Sequence, residues 1–303
     1  MNLGYACINT ELSSRKGDDR ITTNRTMIKR TFQEKGLEYT SELVLQNVAD
    51  LYSIIEWNEQ NNIKFFRLSS EMFPWASEYY QDWDNFPNIE KIKSILQDCG
   101  NLATKYGHRI TSHPGPFNVL VSPNENVVQN TITDLTIHAD IFDFMGLSRT
   151  PYNKLNIHCN GVYGDKQSAM DRFCKNFERL PESVQTRLTV ENDDKATMYS
   201  VKDLYEGIHK RIGIPIVFDY HHYKFNTGGQ TEQEALELAL STWGDIKPVV
   251  HYSESKAEHE LNESIKPQAH SDLIKELPNT YGNDVDIMVE AKHKELAIEG
   301  FIK

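Results

Sequence analysis

The chain has 303 residues, 32 Lys and Arg against 44 Asp and Glu, a formal charge of −12, 39% hydrophobic and 25% charged residues. That composition suits an ordinary globular protein, and no apolar run approaches the roughly 20 residues a membrane helix needs. The acid surplus speaks against a nonspecific nucleic-acid binder, and 1-MNLGYACINT-10 lacks the basic and long apolar regions of a leader, so a cytosolic or nuclear protein is expected.

Along the chain, short β-rich runs alternate with helical periodicity. The first strand is expected at 3–8. The segment 10–40 follows, basic between 12 and 36 through Arg15, Lys16, Arg20, Arg25, Lys29, Arg30 and Lys35, and is expected as a long loop. Apolar spacing of i, i+3, i+4 and i+7 begins at 43-LVLQNVADLYSIIEW-57 and leads to a strand at 63–69 and the aromatic loop 71-EMFPWASEYYQDWDNFP-87. A helix over 88–107, closed by Gly107, precedes a strand at 109–113, and Ser122-Pro123 reads as the next helix start. Strands at 155–159, 187–192 and 214–219, a helix between Thr231 and Gly244, and strands at 248–253 and 285–290 complete the series. Eight repeats without a GxGxxG or Walker loop predict an α/β protein, a (β/α)8 TIM barrel forming a single domain over 1–303. The segments 10–40 and 71–87 both follow strands, which is the catalytic face of such a barrel. The four cysteines, Cys7, Cys99, Cys159 and Cys174, have no CxxC or zinc-finger spacing and are expected to be reduced and packed.

Metal-ligand side chains concentrate at the carboxyl ends of the expected strands. His113 ends the third, His158 the fourth and Glu191 the fifth; Asp219 and His222 follow the sixth, His251 ends the seventh with His270 beyond it, and Glu290 ends the eighth. Acids and imidazoles crowded at one barrel mouth are costly unless cations hold them, so these eight positions are expected to bind two or three divalent ions. Imidazole with carboxylate suits manganese first, with zinc or cobalt as alternatives. Such a cluster brings bound water to a near-neutral pKa and serves phosphodiester hydrolysis. The competing use is a sugar isomerase on the same barrel, but the basic segment after the first strand favours a polymeric anion. The other histidines, His108, His138, His209, His221, His259 and His293, are expected to be surface residues, with His221 held open as a partner to Asp219.

The blocks 3-LGY-5, 67-RLSSEMFPWAS-77, 112-SHPGPFNVLVSPNENV-127, 190-VENDD-194, 217-VFDYHH-222, 251-HYSES-255, 269-AHSD-272 and 289-VEAKHKE-295 resemble, in order, those of the UV-damage endonuclease family. The resemblance implies a TIM barrel related to endonuclease IV, a metal cluster, and nicking of double-stranded damaged DNA 5′ to UV photoproducts. An abasic-site endonuclease is the alternative within the nuclease class. The resemblance to the UV-damage endonuclease family implies one ion near His113, His158 and Glu191, a second near Glu191, Asp219, His251 and Glu290, and a third near His222 and His270. The catalytic set would be Glu191, Asp219, His251 and Glu290. It further implies lesion contacts by Tyr5, Pro116 and Phe117, and phosphate contacts are expected of Arg15, Lys16 and Arg20. No membrane, no organic cofactor and a monomer are expected. Two positions depart from the family: Pro116 stands where a Gln is usual, and Val249 where many members carry a lysine that in some is carboxylated.

Overall fold

The computed structural model describes residues 1–302. Eight parallel strands close into a barrel in chain order: β1 (Leu3–Ala6), β2 (Phe65–Leu68), β3 (Arg109–Ser112), β4 (Leu155–His158), β5 (Leu188–Glu191), β6 (Ile216–Asp219), β7 (Val249–Tyr252) and β8 (Asp286–Val289). β8 returns to pair with β1 through Leu3 and Ile287, Gly4 and Met288, and Tyr5 and Val289. Each strand lies within the run its sequence predicts. The helices on the outside are α1 (Lys29–Gln60), α2 (Ile89–Lys105), α3 (Glu125–Phe144), α4 (Lys166–Phe177), α5 (residues 201–212, with a π turn over Tyr205–His209) and α6 (Glu232–Leu240).

The outer layer follows from helical spacing. In α2, Ile89, Ile92, Leu96, Cys99 and Ala103 form the buried stripe. α6 begins at Thr231, whose hydroxyl accepts from the Glu234 N–H while the Glu234 carboxylate takes the Thr231 N–H, a capping box. α3 begins two residues later than Ser122-Pro123 suggests. Asn124 is its cap, accepting from the Asn126 N–H, while the Ser122 hydroxyl receives the Asn124 N–H.

The segment 10–40 is not one loop. It contains a helical turn at Thr10–Ser14 capped by Asn9, a 3-10 turn at Gly17–Asp19, and the start of α1 at Lys29, bent at Gly36 where φ is +67°. The first turns of α1 bury nothing before Thr40, so they show no apolar stripe from which a helix could be read. The 71–87 stretch is likewise ordered. Tyr79 stacks on Phe86 with ring centroids 4.1 Å apart, and the Trp83 indole N–H donates to Asp140 Oδ2 at 2.8 Å.

Inside the barrel, alternate residues of each strand point inward. The apolar middle is Ala6, Phe65, Val217, Val249 and Met288, with Trp243 packed against them. Gly4 is required there, because a Cβ would lie 2.6 Å from the Phe65 ring. At the amino-terminal floor the fully buried Arg109 donates to Asp286 Oδ2 at 3.2 Å and to the carbonyls of Tyr152 and Lys247. Lys247 also meets Asp286 at 3.2 Å. A charged floor satisfied on all sides leaves the opposite rim for chemistry. Among the described residues no helix is long and apolar enough to cross a membrane.

Candidate metal centre

Where β3 to β8 end at the rim, the inward alternation brings His113, His158, Glu191, Asp219, His251 and Glu290 together, and His222 joins from the turn after β6. Glu191 is the hub, almost fully buried at 1% exposure. Its Oε2 lies 3.3 Å from His113 Nε2 and 3.0 Å from His251 Nδ1, and its Oε1 lies 3.3 Å from His222 Nδ1 and 3.9 Å from His158 Nε2. His251 Nδ1 is also 3.2 Å from Glu290 Oε1. Two groups have ligand atoms mutually within 4.8 Å: His113, His158 and Glu191, and Glu191, Asp219 and His251.

These atoms converge without bonding one another. Glu191 Oε1, Asp219 Oδ2 and His251 Nδ1 are buried and make no hydrogen bond, even though ring nitrogens and carboxylate oxygens stand near hydrogen-bond distance. Buried polar atoms are rarely left so, because each costs about 1–3 kcal/mol. Atoms that aim at shared points instead of at one another, in a mixed imidazole and carboxylate set, fit divalent cations.

Each imidazole is aimed by a second contact. His113 Nδ1 meets the Pro114 carbonyl at 3.2 Å and His158 Nδ1 meets Asp193 Oδ1 at 3.1 Å, leaving the Nε2 of each for the centre, while His222 Nδ1 stands between the Asn192 carbonyl at 2.9 Å and Glu191 Oε1. His251 is turned the other way, with its Nε2 3.1 Å from the Nζ of the fully buried Lys154. The Asn156 amide donates to Glu191 Oε2 while its oxygen accepts from the Thr189 hydroxyl, fixing its orientation. Arg67 is ion-paired with Glu290.

Electrostatics agree with the geometry. Burial opposes charge on Glu191, yet the facing imidazoles of His251, His158, His113 and His222 hold its carboxyl well below the ordinary range. Burial likewise opposes charge on Glu290, and Arg67 and His251 hold it down. Asp219 is pushed up, chiefly by burial and despite His222. Burial lowers His113 to about 4, the neutral form a ligand needs, and brings Lys154 down to about 7.

The remaining expected residues divide. His270 stands beside the centre, its ring 6.5 Å from that of His222 and its Nδ1 3.2 Å from the Glu290 carbonyl. Val249 is packed in the apolar middle, and Lys247, two residues earlier, is engaged at the floor, so neither reaches the rim. Pro116 and Phe117 are exposed at the tip of the β3 loop, Phe117 at 72%. Tyr5 corrects the sequence expectation. It is fully buried against Phe66 on the outer face of β1, with its hydroxyl donating to Asn58 and accepting from Asn9, because residue 5 falls on the outward phase of the strand. Arg15, Lys16 and Arg20 are exposed, Arg15 pairing with Glu11 at 3.0 Å and Arg20 donating to the Ser13 carbonyl.

His108, His138 and His221 are buried, contrary to the surface positions expected, and His138 Nδ1 meets the Ser112 hydroxyl at 3.0 Å. Asp193, Asn156 and Lys154 are the supporting residues that sequence reasoning missed. The inward phase of β4 could have found Lys154 and Asn156, which lie four and two residues before His158.

The family profile described as UV-endonuclease UvdE matches residues 1–303. The chain is 39% identical over 306 residues to a UV-damage endonuclease of Schizosaccharomyces pombe, covering 98% of this chain and 49% of that protein. It is 31% identical over 287 residues to a UV DNA damage endonuclease of Bacillus cereus, covering 91% and 86%. It thus spans about half of the yeast relative and most of the bacterial one. The crystal structure of SacUVDE superposes with a TM-score of 0.84 at 32% identity, covering 100% of this chain and 96% of that one.

Proposed function

Because the chain belongs to the UV-endonuclease UvdE family, we propose that it is a metal-dependent DNA-repair endonuclease cutting the phosphodiester on the 5′ side of UV photoproducts and other distorting lesions. The observation that carries this reading is the meeting of four imidazoles on Glu191, with Asp219 and Glu290 beside it, at an open cleft of about 650 Å3.

His113, His158 and Glu191 would hold one divalent ion, and Glu191, Asp219, His251 and Glu290 a second. His222 and His270 would begin a third site that Val249 leaves short of a ligand. Manganese is the first candidate. Divalent ions in these sites supply Lewis acidity, which makes water a nucleophile near neutral pH and stabilises charge on the departing 3′ oxygen. The chain's own work is to aim the ligands through Pro114, Asn192 and Asp193, to keep Glu191 and Glu290 ionised, and to present Pro116 and Phe117 to a weakened base stack. The partner is damaged duplex DNA, met by a monomer in the cytosol or nucleus.

The test is an end-labelled duplex carrying one photodimer, one abasic site or no lesion, incubated with Mn2+ or with EDTA. Nicking 5′ to the photodimer that needs the metal and disappears in Glu191→Gln is the expected result. Cutting confined to the abasic duplex would replace this reading by an abasic-site endonuclease, and no cutting of any duplex would end it.

A further inference from the structure

Beside the metal-ligand residues, the cleft is lined by three cations, Arg67, Lys292 and Lys294. Their situations differ. Arg67 is committed to Glu290, and Lys292 points from an exposed position. Lys294 is half-buried, and its ammonium has no hydrogen-bond or ion-pair partner among the described residues. A long cation ordinarily extends to water or finds a carboxylate, since partial burial without an acceptor is unfavourable.

The backbone holds it there. Lys294 has a φ of +56°, a left-handed conformation that a residue with a Cβ adopts at a cost of about 1 kcal/mol or more. The surrounding chain enforces it. The Lys292 and His293 N–H groups donate to the carbonyls of Ser271 and Asp272, and the Lys294 N–H donates to the Ala291 carbonyl. The next residue, Glu295, is fully buried and accepts from the Glu11 N–H at 2.7 Å, which anchors the segment to the helical turn after β1. A turn pinned on both sides thus directs one side chain into the cleft. Strain held by surrounding structure and spent on an unpaired cation is a mark of a ligand contact.

We infer that Lys294 binds a non-bridging oxygen of the phosphodiester being cut, approaching it from the segment between β8 and the helical turn after β1 while the metal-ligand residues face it from the ends of β3 to β8. The inference rests on the proposed function and adds a catalytic residue to it. An ammonium at this place neutralises one anionic oxygen in the bound diester and keeps doing so as charge builds on the phosphorus oxygens, which an exposed lysine could not do as effectively. The requirement is for a positive charge at that point, so arginine should substitute in part and a neutral chain of equal length should not.

The experiment uses two lesion duplexes, one with the native diester at the cut position and one with a neutral methylphosphonate there. Single-turnover cutting of the native duplex is measured with Mn2+, and affinity for both duplexes is measured in EDTA, for the wild type, Lys294→Met and Lys294→Arg. Thermal melting verifies that each variant is folded. The expected result is a loss of about 100-fold in cutting rate for Lys294→Met with substantial recovery in Lys294→Arg. The wild type should prefer the native duplex about tenfold and Lys294→Met should bind the two alike. A folded Lys294→Met that cuts at the wild-type rate, or that keeps the full preference for the native diester, overturns the role of Lys294. A wild-type protein that cuts no lesion duplex overturns the function itself, and the two failures are therefore told apart.

Discussion

Phe117 leaves 72% of its surface in solvent at the tip of the β3 loop, next to the exposed Pro116. Apolar side chains in this position can enter a base stack, where unstacking costs a few kcal/mol and is recovered most readily at a step that damage has already weakened. A proline offers no amide to bases left without partners, so discrimination should track distortion. We expect faster cutting beside the strongly kinked 6-4 photoproduct than beside the cyclobutane dimer, a narrower gap in Pro116→Gln, and impairment of both in Phe117→Ala with little change in melting temperature. Competitive cleavage of the two lesions in one duplex context checks this, and equal wild-type rates would remove residue 116 from lesion probing. Residues of this kind were readable to differing degrees. Glu191 and Asp219 end β-rich runs, where a carboxylate stands out. Tyr5 did not show its orientation, because in a four-residue strand buried throughout, no alternation of polar and apolar residues marks which phase faces inward. Asp193 was visible within VENDD, yet its contact with His158 depends on a rotamer and a loop path that sequence does not encode locally.

The β3 loop is tied to α3. Asp134 Oδ2 accepts from the Asn118 amide at 2.7 Å and stands 3.8 Å from His138 Nε2, while Asn118 also donates to the Gly115 carbonyl through both its amide and its backbone N–H. Through the Ser112 hydroxyl, His138 connects the same network to the end of β3. One helix thus fixes both the strand that carries His113 and the loop that carries Phe117. Asp134→Ala should cost about 1 kcal/mol of stability but lower lesion cutting about tenfold, since small displacements of positioned groups are amplified in rate. Melting curves beside single-turnover rates test the contrast, and a loss of stability without loss of cutting would reduce the network to packing. His138 was expected on the surface because helical periodicity alone does not reveal that a polar residue faces another polar group inside. The strands and the amphipathic helices were legible from β-rich runs and from stripes such as Ile92, Leu96, Cys99 and Ala103. The first turns of α1 were not, since no residue before Thr40 is buried there and Phe32 only stacks on Trp75 from a half-buried position.

Across the whole molecule the two ends of the barrel do different work, and the sign of their charge matters for DNA. At the floor, Asp286 accepts from Arg109, Lys247 and the Asn2 N–H at 1% exposure. Asp286→Ala leaves the buried guanidinium uncompensated and should cost about 3–5 kcal/mol, with the metal content of the folded fraction unchanged by elemental analysis. At the rim, the proposed DNA substrate would set a polyanion against a protein of formal charge −12, and it would have to be held there by cations. Local cations can do this because screening limits surface interactions to about 8 Å at physiological ionic strength, so acids elsewhere on the molecule contribute little. Arg15, Lys16 and Arg20 lie just after β1 at the same end as Lys294. The Arg15 pair with Glu11 is exposed on both sides, at 42% and 50%, so it is worth little and leaves the guanidinium free to exchange a carboxylate for a phosphate. Each phosphate contact releases counterions and contributes about −0.9 to the slope of log affinity against log salt. Replacing Arg15, Lys16 and Arg20 together by neutral residues should therefore flatten that slope by up to about 2.7 if all three touch the backbone, while the metal content and the cut position stay as in the wild type. Titrations of a fluorescent lesion duplex at several salt concentrations measure it directly, and a slope unchanged in the triple variant would confine the DNA contact to the cleft.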